Sequence, residues 1–281
     1  MKDDFHRISI VGLGLIGGSI AKSCRAKGIG GYLVGVDKDQ ETLKHAREIL
    51  DLVSPSIEDG VFEADLVILA TPIRSFEAVI EEMNPVLSAG TVVTDVGSVK
   101  GPVVARAECL LGEHPFVGAH PIAGNERSGF SASSPQLFEG RPCIITPTER
   151  TEKWACLRVS RFWERMGCWV TLIDPERHDR IFAALSHLPH LLAYALVGTT
   201  LQLSREEGDI LKLGGGGFRN FSRIAASPPE IWRDICLMND RFILQMIEQF
   251  QSNLKELRSL IAQGDAPSLE ERLRAWRLPD G

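Results

Sequence analysis

The feature that most constrains this 281-residue chain is an alternation of short apolar runs with amphipathic stretches through residues 7–173. Seven runs rich in β-branched residues predict strands, namely RISIVG, YLVGVD, ADLVILATP, TVVTDVGS, HPFVGAH, RPCIITP and CWVTLI. Several are apolar throughout, as strands are in a sheet covered on both faces. Helices fit between them near residues 16–28, 39–50, 73–84, 99–111 and 151–166. The pattern predicts an α/β fold with a mostly parallel, doubly wound sheet of the Rossmann type.

The pattern changes at residue 174. Asp174 suits a helix N-cap and Pro175 the first helical position. The residues that follow show helix patterns and no convincing strand. The last pattern has apolar residues three and four apart from Ile231 to Ile261, which predicts one long helix with a core or subunit-interface stripe. We therefore predict two domains, a dinucleotide-binding domain at residues 1–173 and an all-helical domain at residues 174–281.

The composition limits which binding partners and which cellular compartment are expected. A net charge of −6 argues against binding to nucleic acid or to an anionic membrane surface. The apolar stretch HLLAYALVGTTLQL is short and polar at its ends, so it is not expected to span a bilayer. The six cysteines are scattered without a C-x-x-C pair, which predicts reduced, buried thiols. With an N-terminus that makes a poor signal peptide, these features predict a cytoplasmic protein.

A glycine motif follows the first predicted strand and opens the first helix. Gly12, Gly14 and Gly17 form the pattern G-x-G-x-x-G, and Leu15 and Ile16 lie between them in the first helical turn. The three glycines would allow a tight turn, close approach of a pyrophosphate and close helix–strand contact, in that order. A phosphate would then lie at the helix N-terminus, where free N–H groups favour negative charge. A tight turn that binds nothing is the alternative.

An acidic residue supports the binding interpretation. Asp37 ends the second predicted strand, 20 residues after Gly17, where a carboxylate holds the ribose hydroxyls of a dinucleotide. It would repel a 2′-phosphate, so NAD is favoured over NADP, although the neighbouring Lys38 weakens that preference. Thr71 and Pro72 end a later strand and should line the same cleft.

Two further strand ends carry reactive side chains. Ser98 follows the strand that contains Asp95, and His120 ends the strand after it. Both should therefore face the crevice in which a nicotinamide would lie. A neutral imidazole is suited to take the proton of a hydroxyl group whose carbon loses a hydride. The alternatives are a hydrogen-bonded strand-end histidine and a serine that caps the next helix.

Several motifs together resemble the prephenate/arogenate dehydrogenases of tyrosine biosynthesis. They are GLGLIGGS, DVGSVK, GAHPIAGNERSG, SHLPH, GGGFRNFSRIAAS and WRDI, and they run over essentially the whole chain. The resemblance implies an NAD(P)-dependent oxidative decarboxylation of a cyclohexadienyl acid by a dimer whose helical domains interlock. It also implies that His120 hydrogen-bonds the ring hydroxyl and that Ser98 helps to orient it. The same resemblance assigns to the substrate pocket or its gate His190, Arg223 and Glu126, with Trp232 nearby.

The second half offers independent support for an anionic substrate. Arg219 and Arg223 are four residues apart, a like-charge spacing that disfavours a helix by about 0.2–0.5 kcal/mol unless an anion lies between them. A dicarboxylate is such an anion, and two solvated arginines are the alternative. His187 and His190 lie one turn apart near Pro189, which should kink the helix. No third ligand stands at a recognisable spacing, so we predict no metal site.

Asn220 bears on the choice of substrate. The resemblance implies an aspartate there in many members of the family, and prephenate has a keto group where arogenate has an ammonium group. A neutral amide offers that ammonium group no ion pair, so we expect an NAD-dependent dehydrogenase that converts prephenate to 4-hydroxyphenylpyruvate. The alternatives are an arogenate or dual-specificity dehydrogenase, a dehydrogenase for a related amino-substituted acid, and a catalytically silent NAD-binding regulator.

Overall fold

The computed structural model describes residues 5–124 and 127–278. Eight strands form one sheet in the order β3-β2-β1-β4-β5-β6-β7-β8. All neighbouring strands are parallel except β6 and β7, which are antiparallel. The strands are β1 (Arg7–Val11), β2 (Tyr32–Val36), β3 (Leu52–Ser54), β4 (Leu66–Leu69), β5 (Val92–Asp95), β6 (Phe116–Pro121), β7 (Pro142–Thr146) and β8 (Trp169–Leu172).

Six helices cover the two faces of this sheet. They are α1 (Leu15–Lys27), α2 (Gln40–Ala46), α3 (Ile57–Val61), α4 (Phe76–Met83), α5 (Gly101–Leu111) and α6 (Lys153–Arg165). Alternate strand residues enter two separate cores: Ile68 packs with residues of α1 and α6, whereas Val67 and Leu69 pack with residues of α3, α4 and α5. The predicted doubly wound sheet is confirmed. It positions the site because its parallel strands end along one edge.

One strand, β3, was not predicted from the sequence. All seven predicted strands are present, and the eighth, β3, has only three residues, of which Ser54 is the buried one. So short a segment with a polar residue inside has no periodicity to detect.

Six further helices follow the sheet: α7 (Pro175–Phe182), α8 (Leu188–Glu207), α9 (Gly216–Ser222), α10 (Pro229–Met238), α11 (Asp240–Gln263) and α12 (Ala266–Ala275). Asp174 caps α7 as predicted, since its carboxylate accepts a hydrogen bond of 2.8 Å from the Arg177 N–H. The single helix predicted from Ile231 to Ile261 is wrong. It is broken at Asn239, whose buried amide hydrogen-bonds the carbonyl of Asp179 and the ring of His187.

Pro189 lies in a continuous helical stretch from Pro175 to Glu207. The turn before it, Ala183–His187, is a π-helix, in which the Leu188 N–H bonds the carbonyl of Ala183 five residues back. This wider turn accommodates the proline ring, so the distortion predicted at Pro189 takes the form of a π-bulge. His187 is fully buried beside it, whereas His190 is half-buried.

The same helical stretch corrects the expectation about its length. Its 33 residues include an 18-residue window of mean hydropathy 1.5, so it is long and apolar enough to cross a membrane by length and composition. The expectation that this stretch is too short is therefore wrong. One such helix is weak evidence for a membrane span.

The cysteines are only partly as predicted. Of the six cysteines, four are buried as predicted, but Cys109 is exposed and Cys236 is half-buried.

The helical domain buries few of its own apolar side chains. Among the described residues after 173, the fully buried hydrophobic residues are Phe182, Ala183, Ala193, Ile235 and Ile243. Fourteen large hydrophobic side chains of the same region are exposed: Leu185, Leu196, Leu201, Leu203, Leu213, Phe221, Ile231, Leu237, Leu244, Leu254, Ile261, Leu273, Trp276 and Leu278. Apolar exposure on this scale marks a surface that another surface covers.

Candidate active site

The glycine loop after β1 is shaped by contacts that exclude side chains. Gly12 has φ +96°, and a Cβ there would lie 2.7 Å from the backbone of Ala70 and Thr71. A Cβ at Gly17 would lie 1.9 Å from the carbonyl oxygen of Gly12. Gly14 instead faces open space. The steric reasons predicted for Gly12 and Gly17 therefore hold, and the backbone at Gly14 leaves room for a ligand.

The N-terminus of α1 fits the pyrophosphate of a dinucleotide. Gly14 is its N-cap, and no side chain caps the helix or places an acidic group in its first turn. The first two helical residues are Leu15 and Ile16, both half-buried. N–H groups and a positive helix end without a competing carboxylate favour an anion at this point.

Asp37 lies beside this loop and helps to hold it. Its Oδ2 accepts a hydrogen bond of 2.7 Å from the Leu13 N–H, and its Oδ1 accepts one of 3.0 Å from the Asp39 N–H. Each oxygen retains acceptor capacity for a ribose hydroxyl. Thr71 lies across the loop with Pro72, and its buried hydroxyl has no hydrogen-bond partner in the described part of the chain. The residues at this edge therefore fit a bound dinucleotide.

We expect Asp37→Ser to shift the cofactor preference toward NADP. The substitution removes the acceptor for the 2′-hydroxyl and the charge that repels a 2′-phosphate. It also frees the Leu13 N–H, so NAD affinity should fall for two reasons. The measurement is kcat/KM with each cofactor, and the ratio for NADP over NAD should rise by at least about tenfold, since one lost charge repulsion of ~1.4 kcal/mol has that effect.

Asp39→Ala is the matched control for that prediction. It removes a neighbouring acidic side chain that caps α2 through the Thr42 N–H, and it should leave the cofactor ratio unchanged. A wild-type enzyme that uses NADP better than NAD would contradict the assignment of Asp37.

His120 lies near the end of β6 and is 9% exposed. Its Nδ1 is 2.9 Å from Nε2 of His178, and Nδ1 of His178 is 2.8 Å from Oδ1 of Asp179. Phe182 packs against both rings, with centroid distances of 5.0 Å to His120 and 4.4 Å to His178. The histidine predicted from the sheet edge is thus held by two residues of α7.

Asp179 also joins the two domains. Its Oδ1 accepts a hydrogen bond of 2.7 Å from the Lys100 N–H, and its Oδ2 accepts one of 2.7 Å from the Gly101 N–H. These are the amides at the N-terminus of α5, where a carboxylate is favoured. A residue of the helical domain therefore caps a helix of the sheet domain.

A buried ion pair lies below the strand ends. The Lys100 ammonium group pairs with Asp95 and donates a 2.8 Å hydrogen bond to the carbonyl of Ala119, and both side chains are fully buried. Asp95 in turn accepts from the Ala119 N–H at 3.1 Å and from the Gly97 N–H at 2.8 Å. The pair ties β5 to β6 immediately before His120.

The histidines of this cluster are neutral at pH 7. Burial, with the charge of nearby Lys100, lowers the pKa of His120 well below 6.5 and that of His178 to about 2. Burial also lowers the pKa of His187 to about 4, against the opposing charge of Asp179. The backbone of Ser98 lies at the His187 ring and favours its protonated form. A neutral imidazole at His120 is able to accept a proton.

A second cluster contains the residues expected in the substrate pocket. The ring of His190 stacks on Trp232 at 3.6 Å, and its Nδ1 is 2.8 Å from the Ser186 carbonyl. Because a carbonyl only accepts, Nδ1 carries a proton and Nε2 of the neutral ring is an acceptor. His187 contacts Trp232 edge-on at 6.3 Å, which links this cluster to the one around His120.

The predicted arginines lie beyond α8. The Arg223 N–H bonds the carbonyl of Arg219, so the two side chains begin one helical turn apart as predicted. Arg219 bends back, and its Nε donates a 2.8 Å hydrogen bond to the carbonyl of Gly214. Asn220 is exposed on the same short helix. Glu126 lies outside the described residues.

Sequence reasoning missed five residues of this site: Asp95, Lys100, His178, Asp179 and Asn239. Asp95 and Lys100 frame the motif DVGSVK, and two opposite charges around a strand end were a usable signal. The other three come from α7 and from the break between α10 and α11, and their approach to the sheet edge depends on domain packing.

Comparison with known proteins agrees with this geometry. Residues 20–172 match the nucleotide-binding domain of prephenate dehydrogenase, and residues 174–275 match its dimerization domain. The chain is 36% identical to cyclohexadienyl dehydrogenase of Zymomonas mobilis, covering 96% of this chain and 93% of that protein. It is 35% identical to prephenate dehydrogenase of Bacillus subtilis, covering 96% and 73%. The structure resembles prephenate dehydrogenase from A. aeolicus in complex with hydroxyphenyl propionate and NAD+, with a TM-score of 0.91, 42% identity and coverage of 96% and 95%.

The chain belongs to the prephenate dehydrogenase family. Four predictions are confirmed: the family, a Rossmann-type sheet followed by a helical domain, a dehydrogenase, and NAD as its cofactor. The family match begins at residue 20, so the glycine loop at residues 12–17 is supported by its own geometry.

Proposed function

We propose that the protein catalyses the NAD-dependent oxidative decarboxylation of prephenate to 4-hydroxyphenylpyruvate, with release of CO2. The observation that carries the proposal is a neutral, buried His120 at the end of β6, on the same edge of the sheet as the dinucleotide loop after β1. The curated relatives that act on prephenate support the choice of substrate. NAD, when bound, supplies the acceptor for the hydride.

His120 is the proton acceptor in this reaction. The ring carbon that bears the hydroxyl loses a hydride, and Nε2 of His120 takes the hydroxyl proton as the carbonyl forms. Loss of CO2 then returns the electrons of the carbon–carboxylate bond to the ring, which becomes aromatic, and the proton returns to the ring oxygen. Ser98 at the neighbouring strand end helps to orient the hydroxyl. The protein chiefly positions the reactants, because aromatisation drives the reaction.

The carboxylates of the substrate need cationic partners. Arg223, with Arg219 one turn away, supplies a guanidinium group that can bind a carboxylate through two hydrogen bonds. His190 offers Nε2 and Trp232 offers an apolar wall. We include Glu126 as a residue of the pocket or its gate.

NADH formation with prephenate and with arogenate, measured side by side, tests the proposal. Turnover of prephenate with higher kcat/KM is the expected result. Preference for arogenate, or equal use of both, would identify the second candidate, a cyclohexadienyl dehydrogenase like the Zymomonas relative. Absence of turnover with either acid would favour a silent NAD-binding regulator.

Asn220→Asp should shift the preference toward arogenate. Arogenate carries an ammonium group where prephenate has a ketone, and an aspartate at this position would give that cation a partner. We expect the ratio of kcat/KM values for arogenate over prephenate to rise about tenfold if the new pair contributes ~1.4 kcal/mol in the transition state. Gln202→Glu, which adds the same charge on the exposed surface of α8, is the control. An unchanged ratio in Asn220→Asp would show that this residue does not select the substrate.

We further propose that the protein is a cytoplasmic homodimer joined through the helical domain, with the domain boundary at residues 173/174. The fourteen exposed apolar side chains of that domain and its match to a dimerization domain support this assembly. A partner covering the apolar surface of α8 also explains its hydropathy without a membrane, and the net charge of −6 argues against nucleic acid.

A further inference from the structure

We propose that Asp179 and His178 form a hydrogen-bond relay that fixes the tautomer of His120 and keeps its Nε2 free of a proton. Asp179 and His178 are then positioning residues, because they act through His120 and do not touch the substrate. The effect on turnover rests on the proposed function, whereas the tautomer itself does not.

Asp179 sets the donor-to-acceptor direction of the hydrogen bonds in the relay. Its two carboxylate oxygens accept hydrogen bonds from the Lys100 and Gly101 amides, and backbone N–H groups can only donate. A Cβ at Gly101 would lie 2.9 Å from Oδ2, so glycine at residue 101 leaves room for the carboxylate at the helix end. Burial raises the pKa of Asp179, and the two amides and the Lys100 charge oppose that shift. Two obligate donors at a helix N-terminus favour the ionised carboxylate.

An ionised Asp179 determines which ring nitrogen carries the proton, first in His178 and then in His120. Its Oδ1 can only accept, so Nδ1 of His178 carries the proton of the 2.8 Å bond. In a neutral His178 the other nitrogen, Nε2, is then an acceptor. It accepts from Nδ1 of His120 across 2.9 Å. A neutral His120 with its proton on Nδ1 has a bare Nε2, which is the form that can receive a hydroxyl proton.

Burial, with the groups that face the ring, keeps His120 neutral. The groups that face His120 are His178, Lys100 and His187, and all three disfavour protonation of its ring. The charge of Asp95 is balanced by its ion pair with Lys100. The relay also crosses the domain boundary, since His120 belongs to β6 and its two partners belong to α7. His120 is therefore held in the tautomer with its proton on Nδ1 only when the helical domain is docked against the sheet.

The tautomer can be observed directly in the intact enzyme. Protein labelled with 15N-histidine would be studied by long-range 1H–15N correlation, with the His120 signals identified by their loss in His120→Asn. In the wild type, His120 should carry its proton on Nδ1 and His178 on Nδ1. In His178→Phe, which fills the space without an acceptor, His120 should shift toward the Nε2-protonated form.

Kinetics provide the second measurement. His178→Phe and Asp179→Asn should each lower kcat by at least about tenfold, as loss of the orienting carboxylate does in other acid–base systems. KM for prephenate and the Kd of NAD should stay within about twofold, because neither residue contacts a ligand. Phe182→Leu is the matched control, since it removes packing from both rings without changing a hydrogen bond. It should preserve the wild-type tautomer.

The outcomes separate the relay from the proposed function. A wild-type His120 protonated on Nε2 would overturn the relay whatever the activity. Equal effects of Phe182→Leu and His178→Phe on the tautomer would show that packing alone sets it, and would also overturn the relay. A wild type with the expected tautomer that fails to oxidise prephenate would contradict the proposed function and leave the relay intact.

Discussion

Replacement of His120 by asparagine is expected to lower kcat by about 100- to 10,000-fold, the range for loss of a positioned acid–base group. Asparagine occupies a similar space and can still bond His178, but its amide cannot accept a proton at neutral pH. NAD affinity should be unchanged, because His120 lies near the end of β6 whereas the pyrophosphate and ribose positions follow β1 and β2. The measurements are steady-state NADH formation with prephenate and the Kd of NAD.

His114→Asn serves as the control, because His114 precedes the same strand at its opposite end and should not affect turnover. The pH dependence of the wild type provides a second check. Since the pKa of His120 is well below 6.5, the neutral base persists as pH falls through 6.5, and kcat/KM should stay level there. Near-normal turnover in His120→Asn would remove His120 from the mechanism.

Lys100→Met is expected to lower the free energy of unfolding by about 3–5 kcal/mol, the cost of leaving one partner of a buried ion pair uncompensated. The substitution keeps the length of the side chain and leaves the fully buried Asp95 carboxylate without its counter-charge. It also removes the donor to the Ala119 carbonyl, next to His120. The measurement is urea unfolding at one fixed protein concentration, since the proposed dimer would make the midpoint depend on concentration.

Two comparisons identify the cause of that loss. Lys212→Met breaks the Lys212–Asp209 pair, which is 82% and 56% exposed, and should change the unfolding free energy by well under about 1 kcal/mol. The double variant Asp95→Asn/Lys100→Met removes both charges and should recover part of the stability lost in Lys100→Met. No recovery in the double variant would show that the loss comes from packing and not from the unpaired carboxylate.

The amino-acid sequence predicted much of the fold because its signals are local. Period-two and fully apolar runs predicted every strand except the three-residue β3, and Asp174 with Pro175 marked the start of the helical domain. The break at Asn239 was missed because its cause is distant: a buried amide that bonds the carbonyl of Asp179 and the ring of His187. A periodic apolar stripe continues across such a break, so periodicity alone predicts one helix.

The sequence by itself determined the dinucleotide loop, Asp37 and the placement of Ser98 and His120, because parallel strands end at one edge and each of these residues lies at or just after a strand end. Only the tertiary structure decided what surrounds His120. His178 and Asp179 lie 58 and 59 residues further along the chain and reach it from α7, which no periodicity connects to β6. The protonation state of His120 depends on hydrogen bonds and burial across a domain boundary, and such contacts exist only once the two domains have packed together.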